Sequence, residues 1–244
     1  MYGYRARIGL IVPASNTTCE HEIAALCPKG VKTYTSRIFF DPSSIDGLID
    51  LRTGADRASR ELSCEGICNL IAFCCTSGSM IGGLNSDKEI IDRIQKQSST
   101  LAIATATAVI TAFESLKVKK IGVATPYPKE VNNFIRSFLE QSGYHVTALR
   151  GVFEDLSTTE VKNIMIGGLQ PEAAYEMGMK VDGKENDAIF ISCTNLRSIE
   201  IIEKLERQTS KPVVSSNQAT LWYALRKLGI RDAVEGYGRL LEQC

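Results

Sequence analysis

Short apolar runs alternate with helical patterns along the whole chain. Strands that alternate with helices in this way are typical of parallel sheets built from strand–helix–strand units, so the sequence predicts an α/β fold. The predicted strands are 8–12, 31–40, 70–74, 101–104, 121–125, 145–149, 188–192 and 212–215. The predicted helices are 55–68, 87–97, 106–116, 129–143, 197–208 and 219–228.

Segments in the first half of the chain recur in the second half in the same order. Their separations of about 110 residues indicate two similar halves, with chance similarity among α/β units as the alternative explanation. The matching pairs are 7–13 with 120–126, 75–76 with 193–194, and 112–116 with 224–228.

The repeat predicts two lobes related by pseudo-two-fold symmetry, with the functional site between them. The expected first lobe is 1–104 plus 217–244 and the second is 105–216, since the last helix of each half is expected to cross over. Ligands of open parallel sheets bind beyond the carboxyl ends of the strands. Cys75 and Cys193 both follow such strand ends, so facing lobes would bring their thiols to one cleft.

Cysteines at matching positions of the repeat are the candidate reactive groups. A single cysteine is most often a small buried residue, but two at equivalent positions favour a chemical role. Hydroxyls and backbone N–H groups follow both of them, and such donors stabilise a thiolate or an oxyanion. Because side chains alternate along a strand, Cys74 is expected to point into the sheet. A strained Cys74–Cys75 disulfide is the less favoured alternative.

Polar loops follow the first strand of each half. In the loop 13–18, Asn16 and backbone N–H groups can bind a carboxylate beside a helix N-terminus, and a helix-capping loop is the alternative. In the loop 125–128, Tyr127 lies between two prolines and can donate its phenol to a substrate oxygen. A rigid turn with a packing aromatic ring is the alternative there. Asn163, taken by itself, is predicted to be a surface or capping amide.

Composition and charge exclude several classes of protein. The 244 residues include 28 Lys and Arg and 28 Asp and Glu, so the chain lacks the positive excess that nucleic-acid or anionic-membrane surfaces need. No apolar run approaches the ~20 residues of a membrane helix, and the N-terminus does not resemble a signal peptide, which predicts a cytoplasmic protein. Eight cysteines and two histidines form no C-x-x-C zinc motif, and no glycine-rich nucleotide fingerprint occurs.

Five segments together resemble a known family. Residues 13–18, 75–79, 125–127, 163–167 and 192–195 occur in the order seen in maleate cis-trans isomerases of the aspartate/glutamate racemase superfamily. Arylmalonate decarboxylases are close relatives of those enzymes, and the resemblance spans nearly the whole chain. Ala14 is a departure, because the family commonly has serine there. The decarboxylases have glycine at the first cysteine position, so the presence of both cysteines here favours isomerase or racemase chemistry.

The resemblance implies a fold, a substrate class and a set of site residues. The family consists of two similar Rossmann-like lobes, each with a mainly parallel four-stranded sheet, and its active site lies between them without a cofactor or metal. We therefore expect a small dicarboxylate substrate and a homo-oligomer. By resemblance, Cys75 is the nucleophile and Cys193 the acid–base partner. The substrate carboxylates would be bound by Asn16, Tyr127 and Asn163, with further donors from Thr76, Ser77 and Thr194.

Three functions are compatible with these residues. In the first, a Cys75 thiolate adds to maleate, the former double bond rotates as a single bond, and expulsion of the thiolate gives fumarate. In the second, a two-cysteine racemase or an arylmalonate-type decarboxylase moves a proton at an α-carbon. In the third, the protein is not an enzyme but binds a small molecule or senses oxidants through its thiols.

Overall fold

The structure is a computed structural model that describes residues 1–39 and 45–243, and for residues 45–53 it describes the backbone alone. Within those residues, none of the helices combines the length and hydrophobicity that crossing a bilayer requires. The strands are β1 (Ala6–Pro13), β2 (Val31–Ile38), β3 (Leu70–Phe73), β4 (Leu101–Ala104), β5 (Lys120–Thr125), β6 (His145–Gly151), β7 (Ala188–Ile191) and β8 (Val213–Ser215). The helices are α1 (Cys19–Leu26), α2 (Ile45–Ser63), α3 (Thr76–Met80), α4 (Ser86–Ser98), α5 (Thr105–Ser115), α6 (Lys129–Gln141), α7 (Asn163–Gly167), α8 (Pro171–Val181), α9 (Ile202–Thr209), α10 (Ser216–Lys227) and α11 (Arg239–Gln243).

The described strands form two four-stranded sheets with the same topology. The first sheet has the order β2-β1-β3-β4 and the second has the order β6-β5-β7-β8, with parallel pairing in both. This repeated order confirms the predicted α/β fold with two similar lobes. It also means that β3 in the first sheet is the counterpart of β7 in the second.

The central strands are buried on both faces, which explains their continuous apolar sequences. Every residue of β3 and β7 is buried, whereas the edge strands β2 and β6 are partly exposed. One apolar cluster contains residues of both sheets, among them Leu10, Val123 and Phe190. A second cluster, which includes Phe73 and Ile94, covers the other face of the first sheet. The two sheets therefore share one continuous core.

The helices that follow β4 and β8 lie between the sheets. Helix α5 contacts β8 of the second sheet, and α10 contacts β3 and β4 of the first. The hydroxyls of Thr105 and Thr220, one on each helix, share a hydrogen bond of 3.0 Å. These contacts agree with a crossover of the last helix of each half. The lobe limits 1–104 plus 217–244 and 105–216 stay predictions.

Helix α2 is longer than its sequence pattern predicts. It begins at Ile45 rather than at residue 55, because Gly54 does not end the helix but lets it approach β2. A Cβ atom at Gly54 would lie 3.1 Å from the Cβ of Ile38. The predicted extension of β2 to Phe40 lies outside the described residues.

Two helices of the second half differ from the prediction. Helix α9 begins at Ile202 rather than at residue 197, and in the turn before it the backbone N–H groups of Ser198 and Ile199 donate to a carboxylate on α1. Helix α8 is missing from the sequence prediction, although Pro171 at its first turn is a recognised start signal.

Candidate active site

Cys75 lies between the end of β3 and the start of α3. Its sulfur accepts a hydrogen bond from the Gly78 N–H at 3.4 Å, and the Ser77 hydroxyl lies 3.9 Å away. These donors favour the thiolate, but the site is buried and burial favours the neutral form. Burial prevails and raises the pKa of Cys75 to about 11.

The Cys193 thiol occupies the equivalent position after β7. Its sulfur accepts a hydrogen bond of 3.2 Å from the Asn195 N–H, and the N–H of Leu196 also stabilises its thiolate. Burial again outweighs the donors and raises the pKa of Cys193 to about 12. The charge on Cys75 raises this pKa further, so the two sulfurs are close enough to interact electrostatically.

The Tyr127 phenol links the two thiols. It lies close enough to Cys193 and to the Ser77 hydroxyl to interact with both, and burial raises its pKa well above the ordinary value. Its backbone is fixed by Thr125, whose hydroxyl accepts the Tyr127 N–H at 3.1 Å, and by Asn132, whose amide donates to the Tyr127 carbonyl at 3.0 Å. The structure therefore brings the predicted nucleophile, acid–base thiol, phenol and Ser77 together at the carboxyl ends of β3 and β7.

Asn16 lies beside the loop 194–199 that follows Cys193, which we call the second thiol loop; the loop that follows Cys75 is the first. Its Oδ1 accepts the N–H groups of Thr18 and Cys19 at 3.0 and 2.9 Å, so this side chain satisfies the start of α1. Its Nδ2 donates to the Thr194 hydroxyl at 3.1 Å, and that hydroxyl donates to the Cys74 carbonyl at 3.2 Å. Capping of α1 thus falls on Asn16 itself, and its binding of a substrate carboxylate stays a prediction.

Asn163 is a bridge and not the surface amide that its local sequence predicts. It is half-buried at the start of α7, where its Nδ2 donates to the Ser15 hydroxyl at 2.9 Å. Its Oδ1 accepts from the Asn195 Nδ2 at 3.1 Å. The Thr17 N–H donates to the Asn195 Oδ1 at 2.8 Å, so Asn195 joins the 13–18 loop to α7.

Thr76 has a different position from the other predicted donors. It is buried, and its hydroxyl donates to the Ser216 hydroxyl at 2.8 Å. This bond ties the thiol loop after β3 to the start of α10, so the Thr76 side chain is engaged within the protein.

Cys74 is buried and lies against Cys19 in the core shared by the sheets. Cys75 belongs instead to the cluster on the other face of the first sheet. This difference confirms the predicted strand alternation. Both cysteines are free thiols and not a vicinal disulfide.

Sequence reasoning did not single out Glu22 or Asn217, which lie behind the second thiol loop. The buried Glu22 carboxylate accepts the Ser198 N–H at 2.5 Å and the Asn217 Nδ2 at 2.6 Å. A signal was present in the sequence, because Glu22 shares the spacing of the buried apolar residues 19, 23 and 26 of α1. A carboxylate on such a stripe must find buried partners.

The assembled groups can perform addition and proton transfer. A thiolate is the nucleophilic form of cysteine, and a second thiol nearby can deliver or remove a proton. The amides, hydroxyls and phenol around the sulfurs are donors that can stabilise negative charge on a substrate carboxylate.

Comparisons with known proteins find similar proteins over nearly the whole chain. The maleate isomerase of Nocardia farcinica is 28% identical over 247 residues, which cover 97% of this chain and 96% of the relative. The arylmalonate decarboxylase of Bordetella bronchiseptica is 26% identical over 253 residues, with 97% and 96% coverage. A structure of the Nocardia farcinica maleate cis-trans isomerase, a mutant with a covalently bound succinylcysteine intermediate, superposes with a TM-score of 0.90 at 26% identity, covering 98% of this chain and 99% of that one.

A family model described as arylmalonate decarboxylase matches residues 8–241, which include both thiol loops and both sheets. The chain belongs to the arylmalonate decarboxylase family.

Proposed function

We propose that this protein isomerises maleate to fumarate through a covalent adduct on Cys75. The observation that carries the proposal is the meeting of two buried thiols at equivalent strand ends, with the Tyr127 phenol against Cys193 and Ser77. Maleate isomerases among the relatives, and the succinylcysteine intermediate of the Nocardia farcinica enzyme, support the same chemistry.

The first step forms the carbon–sulfur bond. The Cys75 thiolate attacks one alkene carbon of maleate, and the π electrons move to the neighbouring carbon and its carboxylate. That charge is very unfavourable in water, so donors must be fixed in place beforehand, each worth about 3 kcal/mol. We assign this role to Asn16, Asn163 and Tyr127, whose backbones and side chains are already held by the contacts described above.

The second step protonates the carbon that received the electrons. Cys193 delivers its proton to the neighbouring carbon, which gives a succinyl group on Cys75 and a thiolate at Cys193. Rotation about the carbon–carbon bond follows. Cys193 then removes a proton from the same carbon, the carbon–sulfur bond breaks, and fumarate leaves with the Cys75 thiolate restored.

Trapping the adduct tests this proposal. In a Cys193→Ser variant incubated with maleate, solvent can supply the proton to the neighbouring carbon but no thiolate removes it again, so the peptide that contains Cys75 should gain the mass of one maleic acid in mass spectrometry. Wild-type protein without added cofactor should convert maleate to fumarate in proton NMR. Absence of fumarate with wild-type protein, or an adduct on another cysteine, would contradict the mechanism. Turnover of an arylmalonate or a chiral amino acid would favour the racemase or decarboxylase alternative.

We also propose that the protein is cytoplasmic and forms a homo-oligomer. The cysteines of the described residues are free thiols, which persist in reducing compartments and support the first statement, and the family resemblance supports the second. Light scattering coupled to size exclusion gives the oligomeric state directly.

A further inference from the structure

Glu22 is a buried carboxylate that the proposed chemistry does not use. It lies on α1 of the first half and is 4% exposed. Its oxygens accept the backbone N–H groups of Ser198 and Ile199 at 2.5 and 3.1 Å, and the Asn217 Nδ2 at 2.6 Å. Ser198 and Ile199 end the loop that begins at Cys193, so a first-half side chain holds a second-half loop.

The beginning of the same loop is held by neighbouring groups. Asn217 donates its Nδ2 to the Thr194 carbonyl at 3.0 Å as well as to Glu22. The Thr18 hydroxyl, also from the first half, donates to the Asn195 carbonyl at 3.0 Å. The loop 194–199 is therefore fixed at both ends by side chains from α1, α10 and the residue before α1.

Loop 194–199 supplies the N–H groups that donate to the Cys193 sulfur. The Asn195 N–H lies 3.2 Å from the Cys193 sulfur, and the Leu196 N–H also contributes. Backbone donors stabilise a thiolate only when their direction is maintained, because hydrogen bonds weaken steeply as they bend. Glu22 contributes to this direction, because it holds Ser198 and Ile199 and also accepts from the Asn217 amide that binds the Thr194 carbonyl.

We propose that Glu22 is a positioning residue that holds loop 194–199 so that its backbone N–H groups point at the Cys193 sulfur. This inference deepens the proposed function, on which its catalytic consequence rests. Glu22 touches neither thiol, and it acts through the loop.

Glu22 can change the stability of the Cys193 thiolate in two ways, and these have opposite signs. If Glu22 acted mainly through its negative charge, its removal would favour the Cys193 thiolate. If it acts by holding the loop, its removal loosens the N–H donors and disfavours the thiolate. Burial raises the pKa of Glu22, and the charged and titratable groups of the described residues that face it are Glu200, which raises that pKa further, Cys19 on the same helix, and His21 and Arg197, which line the adjacent cavity.

The test compares the alkylation rates of Cys75 and Cys193 within each protein, first in wild-type protein and then in a variant. Wild-type protein and the Glu22→Gln variant are treated with iodoacetamide at a fixed mildly alkaline pH, and peptide mass mapping follows Cys75 and Cys193 separately. Both loop N–H groups bond to one oxygen of Glu22, so Gln keeps an acceptor for them but removes its negative charge, and its amide group meets the Asn217 Nδ2 donor to donor, which loosens the hold on the Thr194 carbonyl. Alkylation of Cys193 should slow about tenfold, which corresponds to the loss of one charge-assisted hydrogen bond from the loop to the Cys193 thiolate. The alkylation rate of Cys75 should change less than about twofold, because the groups that donate to its sulfur come from α3.

Glu206→Gln is the matched control. Glu206 is likewise a buried carboxylate that holds backbone N–H groups, those of Val213 at 2.8 Å and Arg239 at 3.1 Å. It lies on α9, beyond the loop. Its substitution should lower the free energy of unfolding to a similar extent while leaving the alkylation rate of Cys193 unchanged. Glu22→Asp keeps the charge but shortens the reach, so it should also slow Cys193.

Faster alkylation of Cys193 in Glu22→Gln, an unchanged rate, or equal slowing in Glu206→Gln would overturn the proposal. If Glu22→Gln fails to fold, Thr18→Val removes the hydrogen bond to the Asn195 carbonyl and should slow Cys193 in the same direction. Turnover gives a second readout, since kcat should fall more than KM rises when an acid–base group is displaced. Alkylation needs no turnover, so a wild-type protein that makes no fumarate would count against the proposed function alone.

Discussion

Cys74 and Cys75 are adjacent residues with different surroundings. Cys74 is fully buried beside Cys19, whereas Cys75 meets the Gly78 N–H and the Ser77 hydroxyl. We expect Cys75→Ser and Cys193→Ser each to lower kcat at least about 100-fold, and Cys74→Ser to change it only slightly. Fumarate formation measures this effect, with circular dichroism to verify the fold. A loss in Cys74→Ser as large as that in Cys75→Ser would contradict the assignment.

The protonation of the thiols predicts how activity depends on pH. Burial raises the pKa of Cys75 to about 11 and that of Cys193 to about 12, so at neutral pH both are mostly thiols. Attack needs the Cys75 thiolate, whose fraction below its pKa grows tenfold per pH unit. We expect kcat/KM to rise steadily from neutral to alkaline pH in a pH–rate profile.

Ser77→Ala sharpens that test. The Ser77 hydroxyl lowers the pKa of Cys75, so its removal should move the rise in kcat/KM to higher pH. A profile that is flat above neutral pH in wild-type protein, or one that moves to lower pH in the variant, would show that Cys75 ionisation does not limit the reaction.

At the scale of elements, the end of β6 sets the position of Tyr127. A Cβ atom at Gly151, the last residue of β6, would lie 2.3 Å from the Tyr127 carbonyl oxygen and 2.7 Å from the Asn132 Nδ2. A backbone oxygen cannot move aside as a flexible side chain can. Gly151→Ala should therefore lower the free energy of unfolding by about 1–3 kcal/mol and displace the phenol, which reduces kcat. Urea unfolding and steady-state kinetics measure the two effects.

Gly183→Ala is the control for that substitution. A Cβ atom at Gly183, also in the second half, would have its nearest contact at an ordinary 3.7 Å, to the Asn186 Oδ1. This variant should retain wild-type activity. If Gly151→Ala were equally harmless, the strand end would not control the phenol.

Some features of these strands and helices can be predicted from the sequence, and others cannot. The strands and the two thiol positions are predictable, because buried parallel strands are continuous apolar runs and the repeat marks equivalent ends. The contact between the Glu22 carboxylate and the N–H groups of Ser198 and Ile199 is not, since these residues are remote in sequence and meet only in the folded chain. Asn163 likewise gains its partners, Ser15 and Asn195, only when the halves meet.

At the scale of the whole molecule, the halves are joined by apolar and polar contacts together. One core cluster includes residues of both sheets. Buried hydrogen bonds cross from Thr18 to the Asn195 carbonyl and from Thr194 to the Cys74 carbonyl. Because these bonds surround the thiols, the site exists only when the halves are docked. Separate unfolding of one half would leave buried polar groups of the other without partners, which is costly.

This coupling predicts a single unfolding transition, although a chain of 244 residues with two sheets would often unfold in steps. In urea, far-ultraviolet circular dichroism, the fluorescence of Trp222 on α10 and catalytic activity should lose their native values at one midpoint. Ser216→Ala removes the acceptor of the Thr76 hydroxyl and should lower the free energy of unfolding by about 0.5–1.5 kcal/mol, with all three midpoints moving together. Loss of activity at a lower urea concentration than the loss of helix signal would mean that the halves separate before they unfold, and that the shared core is not what holds the thiols in place.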